Sequence, residues 1–137
     1  MTTMTDAPVT APQIEFVAPI MGLPEHTRFS LVALDTEGVL YSLRSVDNPD
    51  LRLIVMAPGR FFPGYLPEID DDTVAALDLR DATEAAVLCV VNPGEDPATA
   101  TANLLAPVVI NHRSMSAAQT VLIGTDLPLK AQLVQAA

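Results

Sequence analysis

Short apolar runs, separated by turn-forming residues at intervals of roughly ten positions, are the feature that most restricts the fold of this chain. Four such runs occupy its first half: 14–17, 29–34, 38–45 and 51–56. Each is too short for a typical helix, and together they are rich in Val, Leu, Ile and Phe, which favour strands. Asp35-Thr-Glu-Gly38 and Asp47-Asn-Pro-Asp50 have the composition of turns. The first half is therefore predicted to be a series of strands.

The second half continues this pattern around one short helix. Segment 58–67 contains three prolines and two glycines, so it cannot continue a sheet ladder. Asp70 or Asp71 is predicted to cap a short helix that begins near Thr73 and depends on packing against the sheet. Further strands are predicted at 85–91, at 99–111 with an interruption at Pro107, and at 119–124. The pattern predicts a mainly all-β fold, a small antiparallel β-barrel or sandwich-like domain with one short helix.

The length of 137 residues favours a single domain. Residues 1–13 are predicted to be a flexible N-terminal lead, because they are Thr-, Ala- and Pro-rich without apolar periodicity. The domain itself is expected over 14–124, followed by a C-terminal tail at 125–137, which from Leu127 onward forms a short helix or frays. The sequence contains neither a long apolar span nor a secretory signal, which predicts a cytoplasmic protein without membrane attachment. A monomer is the expected state.

The charge of the chain is strongly one-sided. Seventeen Asp and Glu residues face seven Lys and Arg residues, for a formal net charge of −10. Direct binding to nucleic acid is not expected, because such proteins need a basic surface to displace counterions. The natural complement of this surface is a basic partner. Segment 68–96 concentrates nine of the acidic residues against Arg80 alone, which is typical of a solvated face or of a docking surface.

No pattern of catalytic or metal-binding residues is present. Cys89 lies within the most apolar run, where a thiol behaves as a small hydrophobic group with a raised pKa. His26 and His112 lie far apart and have no ligand spacing around them. Ser42 and Ser45 lack a nucleophile elbow, and the glycines form no phosphate-binding loop. The sequence therefore predicts a protein that is not an enzyme and holds no cofactor or metal.

Three ordered segments resemble the flagellar assembly factor FliW family. Residues 101–111 (Thr-Ala-Asn-Leu-Leu-Ala-Pro-Val-Val-Ile-Asn) are similar to its signature strand, residues 43–51 to its Leu-x-Ser-x-Asp-x-Pro-x-Leu turn, and residues 61–65 (Phe-Phe-Pro-Gly-Tyr) to its aromatic loop. The resemblance extends over about residues 14–124. Two segments depart from the family pattern: Gly22–Thr27 keeps only a Gly-x-Pro half-motif, and Thr125–Leu129 stands where a tyrosine-containing segment is common.

The resemblance implies a non-enzymatic β-barrel protein that binds flagellin in the cytoplasm. It also implies antagonism of the translational repressor CsrA, an RNA-binding dimer, without occupation of its RNA groove. Flagellin that accumulates would sequester the factor, and flagellin secretion would release it, which couples flagellin synthesis to secretion. Two partners of one protein that act in this way must be negatively linked.

The density of acidic charge beside an aromatic loop suggests where a partner binds. The predicted partner-binding residues are Tyr65, Glu68, Asp70, Asp71, Asp72, Thr101 and Asn103. Two other classes stay open on the residues alone. A ligand-carrying β-barrel would need an apolar cavity inside, and the low aromatic content leaves an aliphatic core for it. A small hydrolase is the third class, although the residues for its chemistry are missing.

Overall fold

The computed structural model describes residues 12–18, 20, 26–65, 67–95, 99–122 and 125–133. The predicted flexible lead lies outside these residues apart from its last two positions, and Gln13 already belongs to the first strand. Most of the divergent Gly22–Thr27 segment also lies outside them.

Nine strands and one short helix form the described part of the chain. The strands are β1 Gln13–Phe16, β2 Arg28–Ala33, β3 Leu40–Ser45, β4 Arg52–Met56, β5 Ala85–Asn92, β6 Thr101–Ala102, β7 Val108–Asn111, β8 Ser116–Gln119 and β9 Ala131–Gln132. The helix α1 covers Asp71–Ala76, and single 3-10 turns cover Pro58–Arg60 and Ala82–Glu84. The chain is therefore mostly β, as the spacing of its apolar runs predicts.

Seven of the strands close into a barrel. The sheet runs in the order β4-β3-β2-β1-β8-β7-β5, and an additional pairing between β4 and β5 closes the ring. Neighbouring strands are antiparallel except β1 and β8, which pair in parallel through Glu15 with Ser116 and Phe16 with Ala117. β5 is long enough to pair first with β7 and then with β6, and β9 extends the sheet beyond β6. The predicted barrel is confirmed.

The inside of the barrel is filled with side chains. Phe29, Leu43, Val55 and Val108 are fully buried there, and the rings of Phe16 and Phe29 meet edge to face at 5.5 Å. Since strand residues alternate between the two faces of a sheet, these residues occupy the inward positions. This packed interior offers no support for the alternative of a ligand-carrying barrel, which needs interior space.

Two smaller clusters lie on the outer face of the barrel, where β4, β5 and β7 also carry apolar residues. Loop and C-terminal residues cover Met56 and Cys89, together with Val91, Ala102 and Leu104. The region around α1 covers Val109 and Ala118 through Leu77. The helix thus depends on its packing against the sheet, as expected for six residues.

The hairpin between β2 and β3 has the turn that its sequence predicts. Gly38 adopts a positive φ of 75°, and the Asp35 carboxylate accepts hydrogen bonds from the backbone N–H groups of Gly38, Val39 and Leu40. Because Gly38 and Val39 belong to this turn, β3 begins at Leu40, two residues later than predicted.

The strands after residue 99 differ from the prediction. The expected long strand is two strands, because the Asn103 carboxamide accepts hydrogen bonds from the N–H groups of Leu105 and Ala106 and turns the chain before Pro107. The expected last strand at 119–124 is wrong, since β8 covers Ser116–Gln119. Small residues suit β8, whose Ala117 and Ala118 oppose the large residues of β7.

The C-terminal segment also differs from expectation. Instead of a short helix or a frayed end, Ala131 and Gln132 pair with β6 as strand β9. The segment is held by its apolar residues as well, because Leu127 and Leu133 pack against the cluster around Cys89.

Candidate functional site

Asp70 is fixed in place at the start of α1. It is the residue before the first helical turn, one of the two N-cap residues that the sequence predicts. Its carboxylate accepts hydrogen bonds from the hydroxyl groups of Thr73 and of Thr120, the latter at 3.2 Å. The Thr73 hydrogen bond is the main reason that the pKa of Asp70 lies below its ordinary value. Asp70 therefore joins the helix to the end of β8.

An open groove of about 660 Å³ runs between the residues before α1 and the residues after β8. We call this the acidic groove: Pro67, Glu68, Ile69, Asp70 and Asp71 form one wall, and Thr120, Val121, Leu122, Thr125 and Leu127 form the other. The first wall presents carboxylates and the second presents mainly apolar side chains. Asp72 lies beside the groove, exposed on the first turn of α1. Such a surface suits a partner that has basic and apolar groups together.

Tyr65 is half-buried and hydrogen-bonded to the core. Its hydroxyl group donates a 2.7 Å hydrogen bond to the carbonyl oxygen of Leu104. The ring packs in the cluster that contains Cys89. Burial, followed by the proximity of Cys89, raises the pKa of Tyr65 well above its ordinary value, so the phenol stays protonated. This position assigns Tyr65 a clear structural role in holding the aromatic loop.

Thr101 and Asn103 lie at a second, smaller groove. This groove of about 250 Å³ is lined by Val90, Asn92, Thr101, Asn103, Leu129 and Lys130. The structure therefore divides the predicted partner-binding residues into two sets. Glu68, Asp70 and Asp71 meet in the acidic groove, whereas Thr101 and Asn103 belong to a separate place.

The segment 125–130 connects these two grooves. Leu127 lines the acidic groove, and Leu129 and Lys130 line the smaller one. The sequence predicts this segment to be part of a C-terminal tail that departs from the family pattern at Thr125–Leu129, and it gives no sign that the segment borders the site. Its position beside the acidic residues depends on the hydrogen bond from Leu104 N–H to the Pro128 carbonyl, a long-range contact that no local pattern reveals.

The second half of the acidic segment supports local structure. Glu84 accepts hydrogen bonds from the Arg80 N–H at 2.7 Å and from Arg113 Nε at 2.7 Å, and these contacts hold its pKa low. The Thr83 hydroxyl and N–H likewise lower the pKa of Asp81. The acidic residues of segment 68–96 thus include two groups: Asp81 and Glu84 support local structure, and Glu68, Asp70 and Asp71 line the acidic groove.

Cys89 is buried in the fold, and the two histidines lie within hydrogen-bond distance of neighbouring residues. Cys89 is buried, and this burial raises the pKa of its thiol to about 11, as its apolar position predicts. His26 Nδ1 lies 3.3 Å from the Ser45 hydroxyl, and His112 Nε2 donates to the Thr83 carbonyl at 2.6 Å.

Among the described residues, no three His, Cys, Asp or Glu side chains are grouped so as to hold a metal ion. Within the same residues, no helix has the length and apolar character to cross a membrane.

The fold and the groove together define a small closed β-barrel protein with an acidic and partly apolar surface groove beside helix α1. Comparison with known sequences places this barrel in a family. The sequence model of the FliW protein family matches residues 2–133, and the chain belongs to this family.

Curated relatives and a solved structure agree with this assignment. The chain is 33% identical over 117 residues to the flagellar assembly factor FliW of Bacillus subtilis strain 168, and the alignment covers 85% of this chain and 82% of the relative. It is 29% identical to the protein of the same name from Syntrophus aciditrophicus, covering 85% and 73%. A crystal structure of the flagellar assembly factor FliW superimposes with a TM-score of 0.85 at 29% identity, covering 90% of this chain and 86% of that one. The resemblance noted in the sequence is confirmed.

Proposed function

We propose that this protein is a non-enzymatic, cytoplasmic assembly factor that binds flagellin and antagonises the translational repressor CsrA. Membership of the FliW family and the name of its relatives, flagellar assembly factor, support a role in flagellum assembly. The observation that carries the partner assignment is the acidic groove, in which Glu68, Asp70 and Asp71 lie opposite an apolar wall.

The charge of the groove favours the repressor as its partner. An RNA-binding protein is rich in basic residues, and those outside its RNA groove complement the carboxylates around α1. A protein with a net charge of −10 attracts such a partner over long distances, which raises the association rate more than the final affinity. The apolar wall, including the exposed Val121, then provides contact area that does not depend on charge.

A triple neutralisation tests this assignment. Glu68→Gln, Asp71→Asn and Asp72→Asn remove three exposed carboxylates and retain Asp70, whose hydrogen bonds support the helix. We expect CsrA to bind the triple variant at least tenfold more weakly, measured by isothermal titration calorimetry with the purified repressor of the same organism. Each lost carboxylate at a partly desolvated interface is expected to contribute about 0.5–1 kcal/mol.

A second triple variant controls for the change in net charge. Glu15→Gln, Asp50→Asn and Glu95→Gln remove the same number of exposed charges at positions that do not line the groove. This control should bind CsrA almost as tightly as the unchanged protein. Equal weakening in both triple variants would show that only net charge matters, and unchanged affinity in the first would remove the groove from the proposed interface.

The two partners should compete if one protein couples flagellin synthesis to secretion. We expect a saturating amount of flagellin to reduce the apparent affinity for CsrA, because negative linkage requires each partner to weaken the binding of the other. A titration of CsrA into the preformed flagellin complex measures this directly. Simultaneous binding with unchanged affinities would contradict the coupling.

A further inference from the structure

Two arginines lie side by side on the outer face of the barrel. Arg44 of β3 and Arg52 of β4 are directly opposite each other in the antiparallel register, with Ser30 of β2 on the other side of Arg44. Directly opposed strand residues have Cβ atoms about 5 Å apart, and like charges in such a pair are destabilising. In an acidic protein, this pairing calls for an explanation beyond the fold.

Neither arginine is neutralised by the described part of the chain. Other arginines of this protein have carboxylate partners: Arg28 contacts Asp47 at 2.9 Å, and Arg113 contacts Glu84 at 2.7 Å. Among the described residues, no carboxylate lies within ion-pair distance of Arg44 or Arg52. The two guanidinium groups are therefore available to an external anion.

The surface beside the arginines forms a groove with an unsatisfied polar group. It has a volume of about 320 Å³ and is lined by Ser30, Val32, Leu34, Ser42, Arg44 and Arg52. Ser42 is only 5% exposed, and its hydroxyl oxygen has no hydrogen-bond partner among the described residues. A buried hydroxyl group without a partner costs free energy, so its retention here points to a polar group that enters the groove.

Exposed apolar side chains complete this surface. Val32 is 42% exposed and Leu34 is 49% exposed, although both lie on or next to β2. We propose that the surface formed by these six residues, which we call the arginine groove, docks an acidic segment of a partner polypeptide. Carboxylates of that segment pair with Arg44 and Arg52, one of its polar groups reaches the Ser42 hydroxyl, and its aliphatic side chains cover Val32 and Leu34.

The same features favour a polypeptide over a nucleic acid or a simple anion. A polyanion such as RNA would be repelled by the net charge of −10, whereas a short segment with a few carboxylates is repelled far less. The arginine groove contains no aromatic residue on which a base can stack. A free inorganic anion would use the arginines but leave the aliphatic residues uncovered. Because β2 and β3 are paired on both sides, the segment docks through side chains and not as an added strand.

Fluorescence anisotropy with a labelled peptide in which glutamate and leucine alternate tests the proposal. We expect this peptide to bind, and a peptide with glutamine in place of glutamate to bind at least tenfold more weakly. The variant Arg44→Gln with Arg52→Gln should weaken binding of the acidic peptide by at least tenfold. The matched control Arg28→Gln with Arg80→Gln, which also removes two exposed positive charges but lies outside the arginine groove, should bind as the unchanged protein does.

Three results would refute a polypeptide-binding surface. The first is the absence of peptide binding, and the second is an equal loss of binding in both double variants. The third is displacement of the peptide by equimolar inorganic phosphate or by a single-stranded oligonucleotide. The variant Arg44→Gln with Arg52→Gln should also be at least as stable to urea as the unchanged protein, because it removes a like-charge pair. Lower stability would show that the arginines serve the fold instead. None of these outcomes affects the acidic groove, which uses different residues.

Discussion

Asn111 connects the end of α1 to the turn between β7 and β8. Its side chain is fully buried: the amide nitrogen donates to the Leu77 carbonyl at 2.7 Å, and the oxygen accepts from the Arg113 N–H at 2.9 Å. The turn also contains Met115 at a positive φ of 60°, which needs support from its surroundings. One side chain thus satisfies backbone groups of two elements that are far apart in sequence.

Asn111→Ala is expected to lower the free energy of unfolding by about 2–3 kcal/mol, because it leaves buried backbone groups without partners. Urea denaturation followed by circular dichroism measures this effect. Asn103→Ala is the matched control, since Asn103 also accepts two backbone hydrogen bonds but is only half-buried. We expect less than about 1 kcal/mol there, because water replaces the lost contacts. Equal losses at both positions would contradict the dependence on burial.

The Cys89 thiol should make stability fall at high pH. Burial raises its pKa from the ordinary 9.0 to about 11 in the folded protein. Its stabilising contribution is therefore fully present below pH 9 and is lost as the pH rises from 9 towards 11. Cys89→Ala should reduce this decline relative to the unchanged protein, as measured by urea denaturation across that pH range. An identical decline in the variant would assign it to other groups.

At the scale of the element, α1 is a short helix held by one deeply buried residue. Leu77, immediately after the helix, is 1% exposed and packs on Val109 and Ala118 of the barrel wall. Because six residues do not form a stable helix alone, the helix and the acidic groove beside it depend on this contact. The geometry of the candidate site therefore follows from the packing of an apolar residue together with the hydrogen bonds of Asp70.

Leu77→Ala is expected to lower the free energy of unfolding by about 3 kcal/mol, through lost burial and the cavity that remains. Leu129→Ala makes the same change at a residue that is 57% exposed and should cost less than about 0.5 kcal/mol. Thermal and urea unfolding of both variants check the difference. If the two substitutions cost the same, α1 would not be anchored in this way.

The elements that local sequence patterns predict are those with strong local signals. The hairpin turn at Asp35 and Gly38, the start of α1 at Asp70 and the buried run of β5 are all present. The errors occur where long-range contacts decide. β8 contains small residues without strong strand preference and forms because it pairs with both β7 and β1. β9 has two residues, and only its pairing with β6 makes it a strand.

The candidate site shows the same limit at a larger scale. Sequence reasoning identified the acidic residues around α1, which lie close together because they are neighbours in the chain. It did not identify the opposite wall, formed by Thr120–Leu122, Thr125 and Leu127, nor the alignment of Arg44 with Arg52, because both depend on contacts between residues far apart in sequence. Charge content is visible in a sequence, whereas the meeting of distant charges is a property of the folded barrel.

At the scale of the whole molecule, the net charge of −10 acts on stability and on binding in opposite directions. Repulsion among the carboxylates destabilises the folded state, and salt screens it over a distance of about 10 Å at 0.1 M ionic strength. We therefore expect the urea midpoint to rise with added sodium chloride. Urea is the suitable denaturant, because guanidinium is itself a salt. A falling midpoint would mean that ion pairs such as Arg28–Asp47 outweigh the repulsion.

The same screening should weaken the association with a basic partner. We expect the association rate with CsrA to fall as the salt concentration rises, while the protein itself becomes more stable over the same range. Stopped-flow measurements at each salt concentration, alongside the urea midpoints, compare the two trends in one set of conditions. Opposite trends would exclude unfolding as the cause of weaker binding, since the protein would be most stable where it binds most slowly. A salt-independent association rate would instead place the contact on the apolar wall of the groove, with the carboxylates contributing nothing to the encounter.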